Sequence, residues 1–260
     1  MFIYGRTQPL KDLAISDALG TLRGLGFEGV ELCFENPDID PRSALDEGLA
    51  ARLRERLDGL GFPGGHSLSY HQDYVGDPDA FKGLIRIMGL SGALGSDVLV
   101  ISCPYARTGS ADEWDATAGR LRELCAAAEG NGLRLALEPE PRFVVGDTAS
   151  LLRMMGEVGS AALHANLDLG HMFLGDDDPL ARIRQVGPKV AHVHVENMRA
   201  GIHDHRLPHD GDMDLGEYVR ALSDIGFKGG MALDMYKHDY REIAPDAIRY
   251  IKGLIAKAAL

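Results

Sequence analysis

The run VAHVHVEN, residues 190–197, sets His192 and His194 two apart in an otherwise apolar stretch. Side chains two apart on a strand share a face, so both imidazoles point the same way. Such a pair suits either satisfied interior polar groups or a metal or substrate site. Other runs are punctuated in the same manner. LALEPEP carries Glu138 and Glu140, NLDLGH carries Asp168 and His171, and GGMALDMY carries Asp234. Earlier in the chain stand Glu31 and Glu35, then His66 with His71 just beyond it, and later GIHDHR brings His203, His205 and Arg206. Carboxylates and imidazoles are the ligands that a hard or borderline divalent cation takes. They are also the groups of general acid–base chemistry.

Positioning them falls to a regular alternation. Strand-like runs occupy 1–5, 29–34, 64–69, 97–102, 133–138, 163–169, 189–195 and 229–235. Between them, apolar residues recur at three- and four-residue spacing, as on helices, and several of these stretches end in Gly. LGF-x-G at 25–29 and IGF-K-G at 225–229 read as one helix-to-strand connection used twice. Strict strand–helix alternation predicts a parallel sheet. Over 260 residues it predicts an α/β fold, a (β/α)8 TIM barrel, with residues 1–260 as a single domain. An open doubly wound sheet is the alternative, but no G-x-G-x-x-G follows the first strand. In the barrel the active site lies at the C-terminal strand ends. Seven of the ten histidines (66, 71, 171, 192, 194, 203 and 205) fall at or just after such an end.

Each residue also has an ordinary structural explanation. Glu31 and Glu35 read equally as helix caps or solvated groups, Glu140 as a loop residue, and His238 and Asp239 as solvated loop. Of the histidine pair, His194 is nearer the strand end and reads as the ligand, with His192 packed deeper. Taken together, Glu138, Asp168, His194 and Asp234 come from four successive strands and read as a metal site. Composition narrows the function classes. A net charge of −12 gives no general attraction to phosphate backbones, so no nucleic-acid partner is expected. No run approaches the roughly 20 apolar residues of a bilayer span, and the N-terminus has no signal-peptide pattern. The three cysteines, 33, 103 and 125, are scattered, which argues against a disulfide framework or a cysteine zinc site. The expected setting is cytoplasmic.

The runs LALEPEP, NLDLGH, VAHVHVEN and GGMALDMY resemble the sugar isomerase/epimerase group of xylose-isomerase-like barrels, which are related to ketose 3-epimerases and endonuclease IV-type enzymes. The resemblance implies one divalent metal held by Glu138, Asp168, His194 and Asp234, with Mn²⁺ first and Mg²⁺, Co²⁺, Fe²⁺ or Zn²⁺ as alternatives. It implies that His171 contacts substrate, that His66 lines the pocket, and that His205 or Arg206 reaches substrate. HDGDMD looks like the family's G-x-G-x-x-D turn, with His209 in place of the first Gly. Two positions depart from the ketose 3-epimerases: Asp234 stands where they have Glu, and Val144 where they have a further Glu. The endonuclease branch has a histidine after strand four, where this chain reads VISCPY. Related barrels are often dimers or tetramers, so a homo-oligomer is in keeping.

The implied chemistry is removal of a proton α to a carbonyl, with Glu138 as base and Asp234 as the other acid/base group, giving a metal-stabilised enediolate. Proton return to the other face epimerises a sugar or keto-sugar, and return to the neighbouring carbon isomerises it. Loss of a β-leaving group makes the enzyme a lyase or dehydratase acting on a 3-keto sugar, cyclitol or glycoside. Phosphodiester cleavage and non-catalytic sugar binding are the remaining readings.

Overall fold

The computed structural model describes residues 1–36, 38–42, 45 and 47–258. Among the described residues, ten strands occur in chain order: β1 Phe2–Arg6, β2 Gly29–Cys33, β3 His66–Ser69, β4 Val98–Ser102, β5 Arg134–Glu138, β6 Leu163–Asp168, β7 Val190–Val195, β8 Asn197–Arg199, β9 Ile202–Arg206 and β10 Gly230–Leu233. The helices are α1 Ile15–Gly24, α2 Glu47–Leu60, α3 Pro78–Leu94, α4 Ala111–Gly130, α5 Thr148–Val158, α6 Leu169–Gly175, α7 Pro179–Val186, α8 Leu215–Asp224 and α9 Tyr240–Ala258. Eight strands close into a parallel barrel in the order β1-β10-β7-β6-β5-β4-β3-β2. The expected (β/α)8 architecture is therefore the observed one.

Strand alternation divides the side chains between two environments. Outward residues such as Leu135, Leu137, Leu167, Val193, Val195, Met231 and Leu233 join the large apolar cluster between sheet and helices. Val98, Val100, Ala136 and Ala191 form a small separate apolar cluster. The polar positions Glu138, Asp168, His194 and Asp234 therefore lie among strands whose alternate residues are fully committed to burial.

The repeated connection is a real structural repeat. After α1, Phe27 N bonds Leu22 O at 3.3 Å, and after α8, Phe227 N bonds Leu222 O at 3.0 Å. Gly26 and Gly226 hold φ of 95° and 73°, which an L side chain adopts only at a cost. One element was not foreseen. The run after the seventh barrel strand, read as a loop, is an antiparallel hairpin of β8 and β9, with Asn197 opposite Arg206.

Two alanine substitutions test this account with opposite signs. Nothing lies within 4 Å of a Cβ added at Gly226 or at Gly119 inside α4, so backbone conformation decides both. Gly226→Ala should destabilise by about 1–2 kcal/mol. Gly119→Ala should stabilise by about 0.5–1 kcal/mol. Urea unfolding midpoints that shift in the same direction would contradict the assignment.

Candidate active site and metal centre

A cavity of about 350 Å³ opens where β1, β4, β5 and β10 end, lined among others by Arg6, His71, Glu138, Glu140, His171, His203, His205, Asp234 and Tyr236. The strands deliver these residues in register: Arg6 pairs with Glu31, Ser102 with Glu138, and Asp168 with His194.

Local sequence explains the DLGH motif. Asp168 ends β6 and caps α6, its Oδ1 accepting from His171 N at 2.7 Å. The cap uses one carboxylate oxygen and leaves Oδ2 free. Gly170 is required because a Cβ there would lie 2.0 Å from Glu196 Oε1, which accepts from Gly170 N at 2.8 Å. His171, one turn into α6, is thereby carried back over the site, its Nδ1 3.3 Å from Glu138 Oε1.

The two strand histidines have different surroundings. His192 Nδ1 donates to Asn166 Oδ1 at 3.0 Å, and its Nε2 accepts from Ser67 Oγ at 3.0 Å. Asn166 in turn donates to Glu138 Oε2 at 2.8 Å. Burial presses the His192 pKa down to about 3, so it is a neutral strut for Glu138. His194 lies between carboxylates, with Nε2 2.8 Å from Glu31 Oε2 and Nδ1 3.1 Å from Glu138 Oε2. Burial lowers its pKa, but Glu31 and Glu138 together raise it well above the ordinary value.

Ligand atoms of Glu138, Asp168 and His194 lie within 4.8 Å of one another. Asp168 Oδ2 is buried with no hydrogen-bond partner among the described residues. A buried polar atom left unpaired is costly, and this one lies 3.9 Å from His194 Nδ1, on the side of the site that Glu138 also faces. The residues fit a divalent cation. Of the four expected ligands, three converge directly. The fourth, Asp234, also lines the cavity, but its Oδ1 is turned to Arg6 Nη1 in a close ion pair.

Arg6 was not foreseen. Its Nε donates to Glu31 Oε1 at 2.8 Å, so one buried guanidinium bridges Glu31 and Asp234. Burial raises both carboxyl pKa values, yet Arg6 and His194 hold Glu31 well below its usual range and Asp234 below. The signal was a charged residue ending an apolar strand, two places after Tyr4. The strand expected from sequence stops at residue 5, one short of the observed end of β1. Glu31 is fully buried in the network rather than a cap or a solvated group. Glu140 lines the cavity, with burial pushing its carboxyl up to about 7.

Two expected substrate contacts lie elsewhere. His66 is the first residue of β3 and so belongs to the N-terminal face, its Nε2 2.8 Å from Leu94 O. His71, two residues past that strand, reaches the cavity instead and bonds Ser102 Oγ at 2.7 Å. Arg206 turns outward to pair with Asp210 and Asp204. His205 faces the cavity, with φ at 43°, the left-handed region that non-glycine residues rarely occupy.

A closed parallel barrel with carboxylates and imidazoles gathered at its C-terminal mouth defines the class of (β/α)8 barrels. The chain belongs to the xylose isomerase-like TIM barrel family, whose model matches residues 19–254. It is similar to fructoselysine 3-epimerase of Escherichia coli O157:H7, 27% identical over 55% of this chain and 54% of that protein. It is also similar to inosose dehydratase of Bacillus thuringiensis (strain Al Hakam), 22% identical over 47% of each chain. The chain thus spans about half the length of these curated relatives. Among solved structures, L-ribulose 3-epimerase superposes with a TM-score of 0.82 at 20% identity, covering 99% of this chain and 95% of that one. No helix of the described residues is long and apolar enough to cross a membrane.

Two measurements test the histidine assignment. His194→Ala should lose bound divalent metal after dialysis while His192→Ala retains it, read by elemental analysis; the reverse pattern would exchange their roles. His192 is neutral when folded but titrates near 6.5 when unfolded. Its contribution to stability is complete above pH 6.5 and is lost as pH falls toward 3. His192→Gln should therefore show a shallower fall in urea midpoint between pH 6.5 and about 4; an unchanged slope would mean the ring protonates in place.

Proposed function

We propose that the protein is a divalent-metal-dependent isomerase or epimerase acting on a sugar or keto-sugar through α-proton abstraction and an enediolate. The observation that carries this reading is the convergence of Glu138, Asp168 and His194, with Asp168 Oδ2 unpaired among the described residues, at a cavity of about 350 Å³ that Glu138 lines. That volume lies at the small end for ligand pockets. Manganese is the ion expected, since a donor set of oxygens with one imidazole suits it, with Mg²⁺, Co²⁺, Fe²⁺ or Zn²⁺ as alternatives. A bound ion supplies Lewis-acid polarisation of a carbonyl and its neighbouring hydroxyl.

The chain's own groups do the rest. Glu138 Oε2 accepts from Asn166, which holds the carboxylate in place, and Oε1 faces His171 Nδ1. Burial raises the Glu138 pKa, but His194 and His171 more than offset this, so it enters the reaction as the anion that takes the proton. Asp234 approaches from β10, with β7 and β6 between it and Glu138 around the barrel, and is the second acid/base group. Arg6 keeps Asp234 ionised between turnovers. His171 and His205 contact the substrate from the hairpin side of the cavity.

A dehydratase acting on a keto-cyclitol or keto-sugar is the second reading. The shorter Asp234 and the apolar Val144 favour it, and a dehydratase is among the relatives. Both reactions begin with the same proton. With Mn²⁺ present, a ketose in D₂O should acquire deuterium at the α-carbon, and product analysis then separates an epimer from an unsaturated product. No exchange across a panel of ketoses and keto-cyclitols would sink both readings. Glu138→Gln should fold normally and lose at least about 10²-fold in exchange rate, the low end of what a general base supplies. A variant above about a tenth of the wild-type rate would mean that another group is the base.

A further inference from the structure

We propose that a second cavity, at the N-terminal end of the barrel, binds a small organic anion with an apolar body, of the kind an aromatic carboxylate represents. This cavity measures about 540 Å³, larger than the one at the mouth and within the range of small-molecule pockets. The first residues of five barrel strands line it: Phe2, His66, Val98, Arg134 and Gly230. His66, expected at the substrate pocket, thus belongs to this one.

Local sequence leaves this end of the barrel open. Barrel interiors are ordinarily filled by layers of bulky branched side chains. Here Ser67 and His192 line the cavity, and β10 contributes only the backbone of Gly230. Gly230 has no room for a side chain, because a Cβ there would lie 2.6 Å from Tyr4 Cε2. The Tyr4 ring meets His192 edge to face, with centroids 5.8 Å apart, and its hydroxyl donates to Gly64 O. Ser67 and His192 also begin the chain that ends on Glu138, so the two cavities lie at opposite ends of one hydrogen-bonded path.

Charge selects the sign of the ligand. The charged side chains lining the cavity are Arg54, Asp58, Asp97, Arg134 and Lys228. Arg54 Nε pairs with Asp58 Oδ2 at 2.8 Å, and Arg134 Nη2 with Asp97 Oδ2 at 2.7 Å. Lys228 has no such partner among the described residues. The rim therefore carries one uncompensated positive charge in a chain of net charge −12. Burial pushes the Tyr4 hydroxyl up to about 12 and lowers the His66 pKa, so neither alters that sum at pH 7. Phe2, Leu57 and Phe62 supply apolar wall, and the Phe2 side of it stands 37% exposed. A single carboxylate beside Lys228, on a body that covers Phe2, answers both features. This site rests on its own geometry and stands whether or not the substrate is a sugar.

The probe is benzoate, titrated into the 260-residue chain with Mg²⁺ present and followed by methyl NMR. Methyl resonances of Leu57 and Val98, which line the cavity, should shift saturably. That of Met198, beside His205 at the mouth, should stay in place. Benzylamine, the same ring with the opposite charge, should bind more weakly than benzoate. Lys228 is exposed, so Lys228→Glu is expected to fold. It should weaken benzoate about fivefold, roughly the worth of an exposed ion pair. Glu138→Gln should bind benzoate as the wild type does. No saturable shift at Leu57 and Val98 would overturn the proposal, as would a shift at Met198 alone. Benzylamine binding as tightly as benzoate, or an unchanged affinity in Lys228→Glu, would overturn it equally. Failure of the deuterium-exchange experiment bears on the chemistry at the mouth and not on this site.

Discussion

Burying five carboxyl groups in one barrel mouth is the constraint around which the upper half of this protein is arranged. Glu31, Glu138, Asp168, Glu196 and Asp234 each lie at or below 5% exposure. An ionised carboxylate removed from water costs several kcal/mol even after relaxation, unless it is paired and hydrogen-bonded. Arg6 answers part of this by bridging Glu31 and Asp234. His194 answers another part from between Glu31 and Glu138. Asp168 Oδ2 remains without a hydrogen-bond partner among the described residues, and the donor set of Glu138, Asp168 and His194 fits a divalent cation.

The barrel makes that concentration of charge tolerable. Alternation along each strand sends leucine, valine and methionine outward to the helices and leaves inward positions free for polar residues. Beneath the charged layer, Ser67, His192 and Asn166 form a neutral chain ending on Glu138. Each member has its hydrogen bonds satisfied there, as a buried polar network must. Glu138 is therefore held from below by uncharged neighbours.

The hairpin of β8 and β9 adds cavity-lining residues to the frame without belonging to the barrel. Asn197 secures its base: the side-chain amide donates to Pro208 O at 3.0 Å and accepts from Met213 N at 3.0 Å. The HDGDMD run is thus a clamped turn, and its role is to set the position of β9 and its histidines. HxH at 192–194 and HxH at 203–205 obey the same strand rule. One pair is split, His192 serving as a strut and His194 lying among the carboxylates, because β7 runs along the barrel axis and its two histidines sit at different depths. The other pair lies across the mouth, and both of its rings reach one point.

Much of this was legible along the chain. Eight alternating runs, glycine-terminated helices and the doubled G-F-x-G connection depend on local periodicity and backbone conformation, which a sequence carries directly. The clustering of histidines and carboxylates at strand ends was legible for the same reason, because position along a strand translates into height in a barrel. His66 shows where that translation breaks: moving the start of one short strand by two residues carries its side chain to the opposite face of the molecule. Partnership was not legible at all. That Arg6 joins Glu31 to Asp234, that His171 meets His203 across 32 residues, and that Arg206 turns away toward Asp210 are facts about closure. The sequence by itself determined which residues stand at the mouth. Only the tertiary structure decided which of them touch, because contacts across a closed barrel join strands distant in the chain, and their separations leave no periodic trace.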